Sequence, residues 1–489
     1  MKRRTFLKGT AAAGAMAAAG PFVRINKADA YTKVPEPGPD ELRIIESAKK
    51  LKKNVDLSFV AWGGHSKGEM VELAAAFKKH TGIGLGKPID IGFPQLSSRA
   101  MAEMVSRSGK IDLLHVHSDT VPTLYTGGLA APLNDYMESA KFDYSSVGTF
   151  AEMSQIEAKT IGLVTDGNCH TYFVRKDLLG NPDHQKRFAD KYGYPLKFAA
   201  TWKEYLDQGA YFGSDPSKMS GFGNLRARRW GFWWFFINYY NHGLFPFNDD
   251  LSLNFDNDTA EAALEAYLAE KKYVQKDLDN WGTSQMWLLL SGAKAYQSIY
   301  WGGVLPVVEN PKKSKSAGKW AHGAVPANVL PNGRKIARTC AAGPPLVVVN
   351  DFAKNKDAAA HLAMWWTSRR NSTYIVGGSV STVHEPWRKE HFVDPEVRKS
   401  YTPEGTDAMY LNLQINSPMV RTTGAAEFND TLDKNISNAW LGVVKPRAAL
   451  KAIEKDWHKI IRRLGKSRMK KDVKSYRNAM PKVDVPKSG

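Results

Sequence analysis

Acids, amides, imidazoles, indoles and guanidinium groups fall at a few places in this 489-residue chain where their spacing could do chemistry. Asp166-Gly167-Asn168 interrupts two apolar halves, Ile161 to Val164 and Tyr172-Phe173-Val174. Such a segment suits a connector between two lobes whose middle faces a shared cleft; a strand with a polar bulge fits the same residues. Asp166 and Asn168, two positions apart, face one side of an extended chain. An ionised carboxylate accepts two or more hydroxyl hydrogen bonds, and a vicinal diol offers them in matching geometry. His115 and His117 have metal-ligand spacing on one strand face, but no second histidine pair accompanies them, and Asn168-Cys169-His170 is a poor partner motif. Ten aromatic rings lie between Trp230 and Phe247, more than one buried face requires. Arg226, Arg228, Arg229 and Arg421 could form a fork for a carboxylate, phosphate or sulfonate.

The elements that must position these groups alternate. Asp56 to Val60 reads as a strand opening into Trp62-Gly63-Gly64-His65, and Glu69 to His80 as an amphipathic helix stopped at Thr81-Gly82. Ile89 to Ile91 is a second strand leading to Gln95, and Ile111 to Val116 a third leading to His117-Ser118-Asp119. The alternation predicts an α/β fold with mostly parallel sheets flanked by helices, and ligands in such sheets sit at the carboxyl ends of the strands. Those ends hold Trp62, His65, Gln95, His117 and Asp119. After the connector come helices at Phe198 to Gln208 and Asp258 to Ala269, then a strand from Tyr296 through Trp301. Ile336 to Val349, broken at Gly343-Pro344-Pro345, mirrors the first connector and carries the chain back to the first lobe. Lys356 to Thr367 is a helix, Gly377-Gly378 marks a third crossing, and Ala425 to about Arg463 is helical. Cys169 and Cys340 lie on connectors that run side by side, so a disulfide is open there.

Met1 to Ala30 carries a twin-arginine run (Lys2-Arg3-Arg4-Thr5-Phe6-Leu7-Lys8), a weakly apolar Ala11 to Ala19 and an A-x-A-like site at Ala28-Asp29-Ala30. It is expected to be a signal peptide cleaved near Ala30, leaving a periplasmic protein. The formal charge is +19, and +14 without the signal. The excess reads as solvated surface in Lys312 to Lys319 and in the Lys466 to Lys487 tail, and an exported chain rarely meets nucleic acid. No run of eighteen apolar residues appears, and two cysteines do not make a disulfide scaffold.

Five stretches, in order, resemble the substrate-binding proteins of bacterial ABC importers, in the maltose-binding-protein-like carbohydrate branch. They are Phe77-Lys78-Lys79-His80-Thr81-Gly82-Ile83; Ile111 to Leu114 running through Asp119 to Gly128-Leu129; Val174-Arg175-Lys176-Asp177-Leu178; Ala342-Gly343 through Asn355-Lys356-Asp357-Ala358-Ala359; and Trp440-Leu441-Gly442, Ala448-Ala449-Leu450 and Trp457. The resemblance implies a two-lobed fold with three hinge crossings, closing on a solute that is then delivered to a membrane permease. It divides the chain into signal 1–30, a first lobe of 41–167 and 342–371, and a second of 168–341 and 376–489. It implies a monomer with no cofactor, no metal and no catalysis.

By position, the resemblance places polar first-lobe contacts at His65 and Asp119 and a connector contact at Asn168. Second-lobe contacts should be aromatic, because a pyranose has an apolar C–H face that packs on a ring. Trp230, Phe232, Trp233 and Trp301 are the candidates, although the family's stacking tryptophan falls nearer Gly302. With Trp62, Gln95, His117, Asp166, Gly343 and Arg421, these complete the expected ligand set for a carbohydrate, polyol or acidic sugar. Two other classes stay open: an exported carbohydrate-active or metal-dependent enzyme, and a ligand sensor of the same fold. A glycoside hydrolase needs two carboxylates at fixed separation, and nothing in the sequence singles out such a pair.

Overall fold

The computed structural model describes residues 33–62, 68–92, 95–341, 343–377 and 384–487. The expected signal segment and His65 lie outside them.

Two sheets organise the chain. In the first, the strand order is Ile89–Ile91, Phe59–Trp62, Leu113–His117, Pro345–Val349 and Gly162–Val164. The three N-terminal strands are mutually parallel, whereas Pro345–Val349 runs antiparallel to both its neighbours, with Pro345 opposite His117 and Leu346 opposite Val164. In the second, the order is Ser220–Phe222, Ala295–Trp301, His170–Arg175 and Trp320–Gly323, and only the first pair is parallel. The sheets are therefore mixed rather than mostly parallel. The cause is the connectivity. Pro345–Val349 re-enters the first sheet at the edge where Leu113–His117 leaves it, so it must run the other way.

Helices cover the sheets where the 3.6-residue period placed them. Glu69–Thr81 ends on Gly82, whose left-handed φ of 79° closes the C-cap. Lys356–Thr367 lies across it, with Trp365 Nε1 donating to Leu73 O and Trp366 Nε1 to Met70 O, both at 2.8 Å. The helix expected from Phe198 begins only at Trp202, because Thr201 and Glu204 form a reciprocal capping box there. In the aromatic run, Gly231–Asn241 is a helix buried on all sides. It packs on Asp258–Leu268 and Ala425–Leu441.

The basic tail is solvated at its lysines, but it is helical beyond Arg463, where the helical stretch was expected to end. Lys466–Asn478 is a helix that buries Met469, Asp472, Val473 and Tyr476. Tyr476 meets Phe245 with ring centroids 4.8 Å apart, and its hydroxyl bonds that of Tyr240. Four inward positions suffice to dock a helix whose other positions are mostly cationic. Tyr476→Ala is expected to lower the unfolding free energy by about 3 kcal/mol in a urea titration. An unchanged midpoint would mean that this helix lies outside the cooperative unit.

Candidate binding site between the two sheets

The chain passes between the sheets at Asp166–Asn168, at Gly343, and between helices Arg369–Gly377 and Pro395–Tyr401, and these crossings are tied together. The knot is Glu385. Its carboxylate accepts the backbone N–H groups of Cys169 and Gly303, both at 2.8 Å, and its own N–H donates to Asp166 Oδ1 at 2.6 Å. Gly167 donates its N–H to Glu385 O at 3.0 Å, and a Cβ on Gly167 would press on Glu385 and Pro386. Asn168 spans the other two sides: its Nδ2 donates to Gly343 O at 3.0 Å, and its Oδ1 accepts Trp301 Nε1 at 2.6 Å. Gly343 has φ +82°, and a Cβ there would collide with Ser118 Oγ.

From this knot the candidate residues continue as one connected, largely buried cluster. Trp301 meets Trp233 at 5.1 Å and Trp230 at 5.8 Å between ring centroids, and His170 lies beneath it at 4.7 Å. Phe232 is buried behind Trp233. Next to Trp230, the Arg229 N–H donates to Asp433 Oδ1 at 2.9 Å, which fixes helix Ala425–Leu441 against the aromatic wall. One turn earlier on that helix, Asn429 Nδ2 donates to Asp119 Oδ2 at 3.2 Å. Ser118 then leads back to Gly343, and the ring closes. His117 lines the same edge, its strand partner Pro345 two residues past Gly343 and its ring 5.8 Å from that of Trp62. The cluster thus joins the indoles of Trp230, Trp233 and Trp301 to the polar side chains of Asp119, Ser118 and Asn168.

Burial sets the charge of these groups. His117 is pushed down to about 4 and His170 to about 3, so both are neutral at neutral pH. Asp119 is half-buried as a residue but its carboxyl is enclosed, and burial raises it to about 7 against the opposing pull of Thr120 N–H, Asn429 and Arg421. Burial raises Glu385 to about 7 as well, and holds its neighbour Asp166 well above the usual carboxylate range with help from the Glu385 charge.

Several candidates do other work. Asp166 is bonded to the third crossing through Glu385 N–H. Gln95 stands exposed at the start of helix Leu96–Ser106, and among the described residues its bonds reach only Gly92 and Ser98. Arg421 is buried, pulled down to about 10, and donates to Met153 O, Gln155 O and Ser475 Oγ, which pins the second half of the chain to the first. Arg226 pairs with Glu270 beneath Tyr267, and Arg228 reaches Asp433 and Asp430, each at 3.2 Å. The arginine fork for an anion therefore loses three of its four members to internal partners. His115 Nε2 bonds Thr165 Oγ1 at 2.7 Å, and no three His, Cys, Asp or Glu side chains converge on a metal position among the described residues. Cys169 and Cys340 are both free thiols: Cys340 Sγ faces Met419 Sδ at 3.5 Å and Cys169 Sγ faces Thr339 Oγ1 at 4.0 Å.

Glu385 and Asn429 are the members that sequence reading missed. An acid between His384 and Pro386, just past the glycine pair of the third crossing, was an available signal for Glu385. Asn429 had none, because one polar residue on a helix resembles any surface position.

Two α/β lobes, each built on one sheet and joined by crossings that are bonded to one another, are the architecture of a solute-binding fold. The chain belongs to the bacterial extracellular solute-binding protein family, whose model matches residues 72–380. Similar solved structures include the maltose-bound T. maritima MalE3, at 17% identity and TM-score 0.68 over 83% of this chain and 100% of that one. An ABC transporter solute-binding protein from Agrobacterium vitis with bound D-mannitol aligns at 17% identity and TM-score 0.68 over 85% and 99% of the two chains. One from Agrobacterium radiobacter in complex with ribitol aligns at 17% and 0.67 over 84% and 99%. No curated protein sequence matches.

The raised carboxyls make a pH prediction. A group whose folded pKa exceeds its unfolded value stabilises the fold below the unfolded value and loses that contribution as pH rises through the folded one. Stability should therefore fall from about pH 4.5 through about pH 7, the window of Glu385, by at most about 1.4 kcal/mol per pH unit for one group. Glu385→Gln should flatten this slope in melting curves taken across that range. An identical slope in wild type and variant would show that Glu385 carries no such proton.

Proposed function

We propose that this protein is the solute-capturing component of an ABC importer, closing two lobes on a sugar or polyol and delivering it to a permease in the inner membrane. The observation that carries this reading is the closed circuit from Asp119 through Ser118, Gly343, Asn168, Trp301, Trp233 and Trp230 to Asn429. It brings indole rings and polar acceptors together, which is the composition that complements a polyhydroxy carbon chain with hydroxyl edges and apolar C–H faces. Ser118 Oγ and Asn429 Oδ1 find no hydrogen-bond partner among the described residues, so a hydroxyl-bearing solute would satisfy atoms that are otherwise costly to bury.

On this reading Trp230, Trp233 and Trp301 stack on the solute, with Phe232 behind them. Asp119, Asn168 and His117 bond its hydroxyls, Trp62 stands beside His117 at the first-lobe rim, and Gly343 lets the connector approach. Arg421 and Asp166 hold the lobes rather than the ligand. The lobes comprise 41–167 with 342–371, and 168–341 with 376–489. The chain works as a periplasmic monomer, exported by the twin-arginine route and cleaved near Ala30. The internal pairing of Arg226, Arg228 and Arg421 favours a neutral solute over an anionic one.

A thermal-shift screen over polyols, monosaccharides, oligosaccharides and acidic sugars tests this. One neutral class should raise the melting temperature by several degrees, as mass action requires of any ligand that binds only the folded state. A flat response to every class would overturn the reading. Asp119→Ala should abolish the ligand-induced shift while leaving ligand-free melting almost unchanged, and a retained shift would remove Asp119 from the site.

A further inference from the structure

The net charge of the chain is not evenly spread. Between Lys445 and Lys487, fifteen Lys and Arg stand against four Asp and Glu, which is more than half of the total +19. Two consecutive helices, Pro446–Leu464 and Lys466–Asn478, joined at Gly465, carry most of it. Each is amphipathic in the same sense. The first buries Leu450, Ile453, Trp457 and Ile461 against helices Ala425–Leu441 and Asp258–Leu268, and the second buries Met469, Val473 and Tyr476. Away from those seams, lysines recur every fourth residue, at Lys451 and Lys455 on one helix and at Lys466, Lys470 and Lys474 on the other, and all five are exposed. That spacing keeps each row on one helix face.

The four acids of the segment do not neutralise these rows. Glu454 accepts the N–H groups of Phe255 and Asp256, and Asp472 accepts Thr423 N–H and pairs with Arg468. Asp484 is held by Arg334 and Arg338, and Asp456 by Lys459. The five lysines named have no salt bridge among the described residues. At the foot of the first helix, Leu441 and Val443 are 52% and 69% exposed.

We infer that the exposed cations of these two helices, the Lys466, Lys470 and Lys474 row foremost, are a docking surface for an anionic phospholipid bilayer. The apolar faces of both helices are buried in the protein, so the lysines act by charge alone, and an acidic bilayer attracts each such cation near its surface by about 1 kcal/mol. A single-stranded nucleic acid would call for stacking rings among the cations, and neither lysine row carries one. An extracellular binding protein held by long-range attraction near a bilayer would meet membrane-bound partners more often, without a fixed anchor. The inference does not depend on which solute the cleft takes.

Co-sedimentation of the exported, purified protein with vesicles tests it. Protein should pellet with phosphatidylglycerol–phosphatidylcholine vesicles at roughly 3:7 in low salt and stay in solution with phosphatidylcholine alone, and binding should fade as the Debye length shrinks from about 30 Å to about 8 Å. The triple variant K466Q/K470Q/K474Q should bind roughly a hundredfold more weakly, about fivefold per charge, with an unchanged melting temperature and an unchanged solute-induced shift. If that variant melts early, K451Q/K455Q is read in its place. Equal pelleting with neutral vesicles, full binding by the variants, or tighter binding to duplex DNA than to the acidic vesicles would overturn the inference.

Discussion

The arrangement rests on one buried carboxyl. Glu385 receives two backbone N–H groups from opposite sides, Cys169 on the crossing strand and Gly303 after the aromatic-bearing strand, while its own amide is taken by Asp166. Without that carboxyl, the two N–H donors would be left without these partners in a place that water does not reach, at a cost comparable to two lost hydrogen bonds. The chain therefore crosses between lobes at one defined edge, and the distance between the indole wall and the Asp119 rim is set there.

The same knot explains why the cleft has its particular chemistry. Asn168 is not a loose polar side chain at a bulge. Both ends of its amide are used, one on the Gly343 carbonyl and one on the Trp301 indole, so a ring from the second lobe is oriented by the hinge itself. Trp301 in turn meets Trp233 and Trp230 at near right angles, and Asp433 anchors the chain beside Trp230 to the helix that carries Asn429. An arrangement in which every wall is braced by the next loses little rotamer freedom when a ligand arrives.

Much of the fold was legible in the sequence because it is local. The 3.6-residue period and the Gly82 stop are visible between Glu69 and Gly82, and the break at Asp166-Gly167-Asn168 in an apolar strand already marks a passage between lobes. Lys356 to Thr367 is a helix at the bounds its residues suggest. What was not legible depends on partners far apart in the chain. Cys169 and Glu385 are separated by 216 positions, and Asp119 and Asn429 by 310; neither pairing leaves a local pattern. Arg421 looks like a surface cation until the Met153 and Gln155 carbonyls are brought to it. The Lys466–Asn478 helix reads as solvent-facing because its docking needs so few apolar residues, and the direction of Pro345–Val349 follows from connectivity, which no single strand encodes.

That strand has a consequence for biosynthesis. Pro345–Val349 lies in the interior of the first sheet, between Leu113–His117 and Gly162–Val164, yet the ribosome makes it only after the strands of the second sheet. A nascent chain that has emerged through Ala341 holds two strands whose shared neighbour does not yet exist. The N-terminal half cannot finish folding first and wait for the other; its sheet is sealed late, by a contact spanning more than two hundred residues, and loop closure over that distance makes the step slow. Until then the exposed strand edges are open to wrong partners, so a chaperone that shields them would act on the incomplete first lobe rather than on the second.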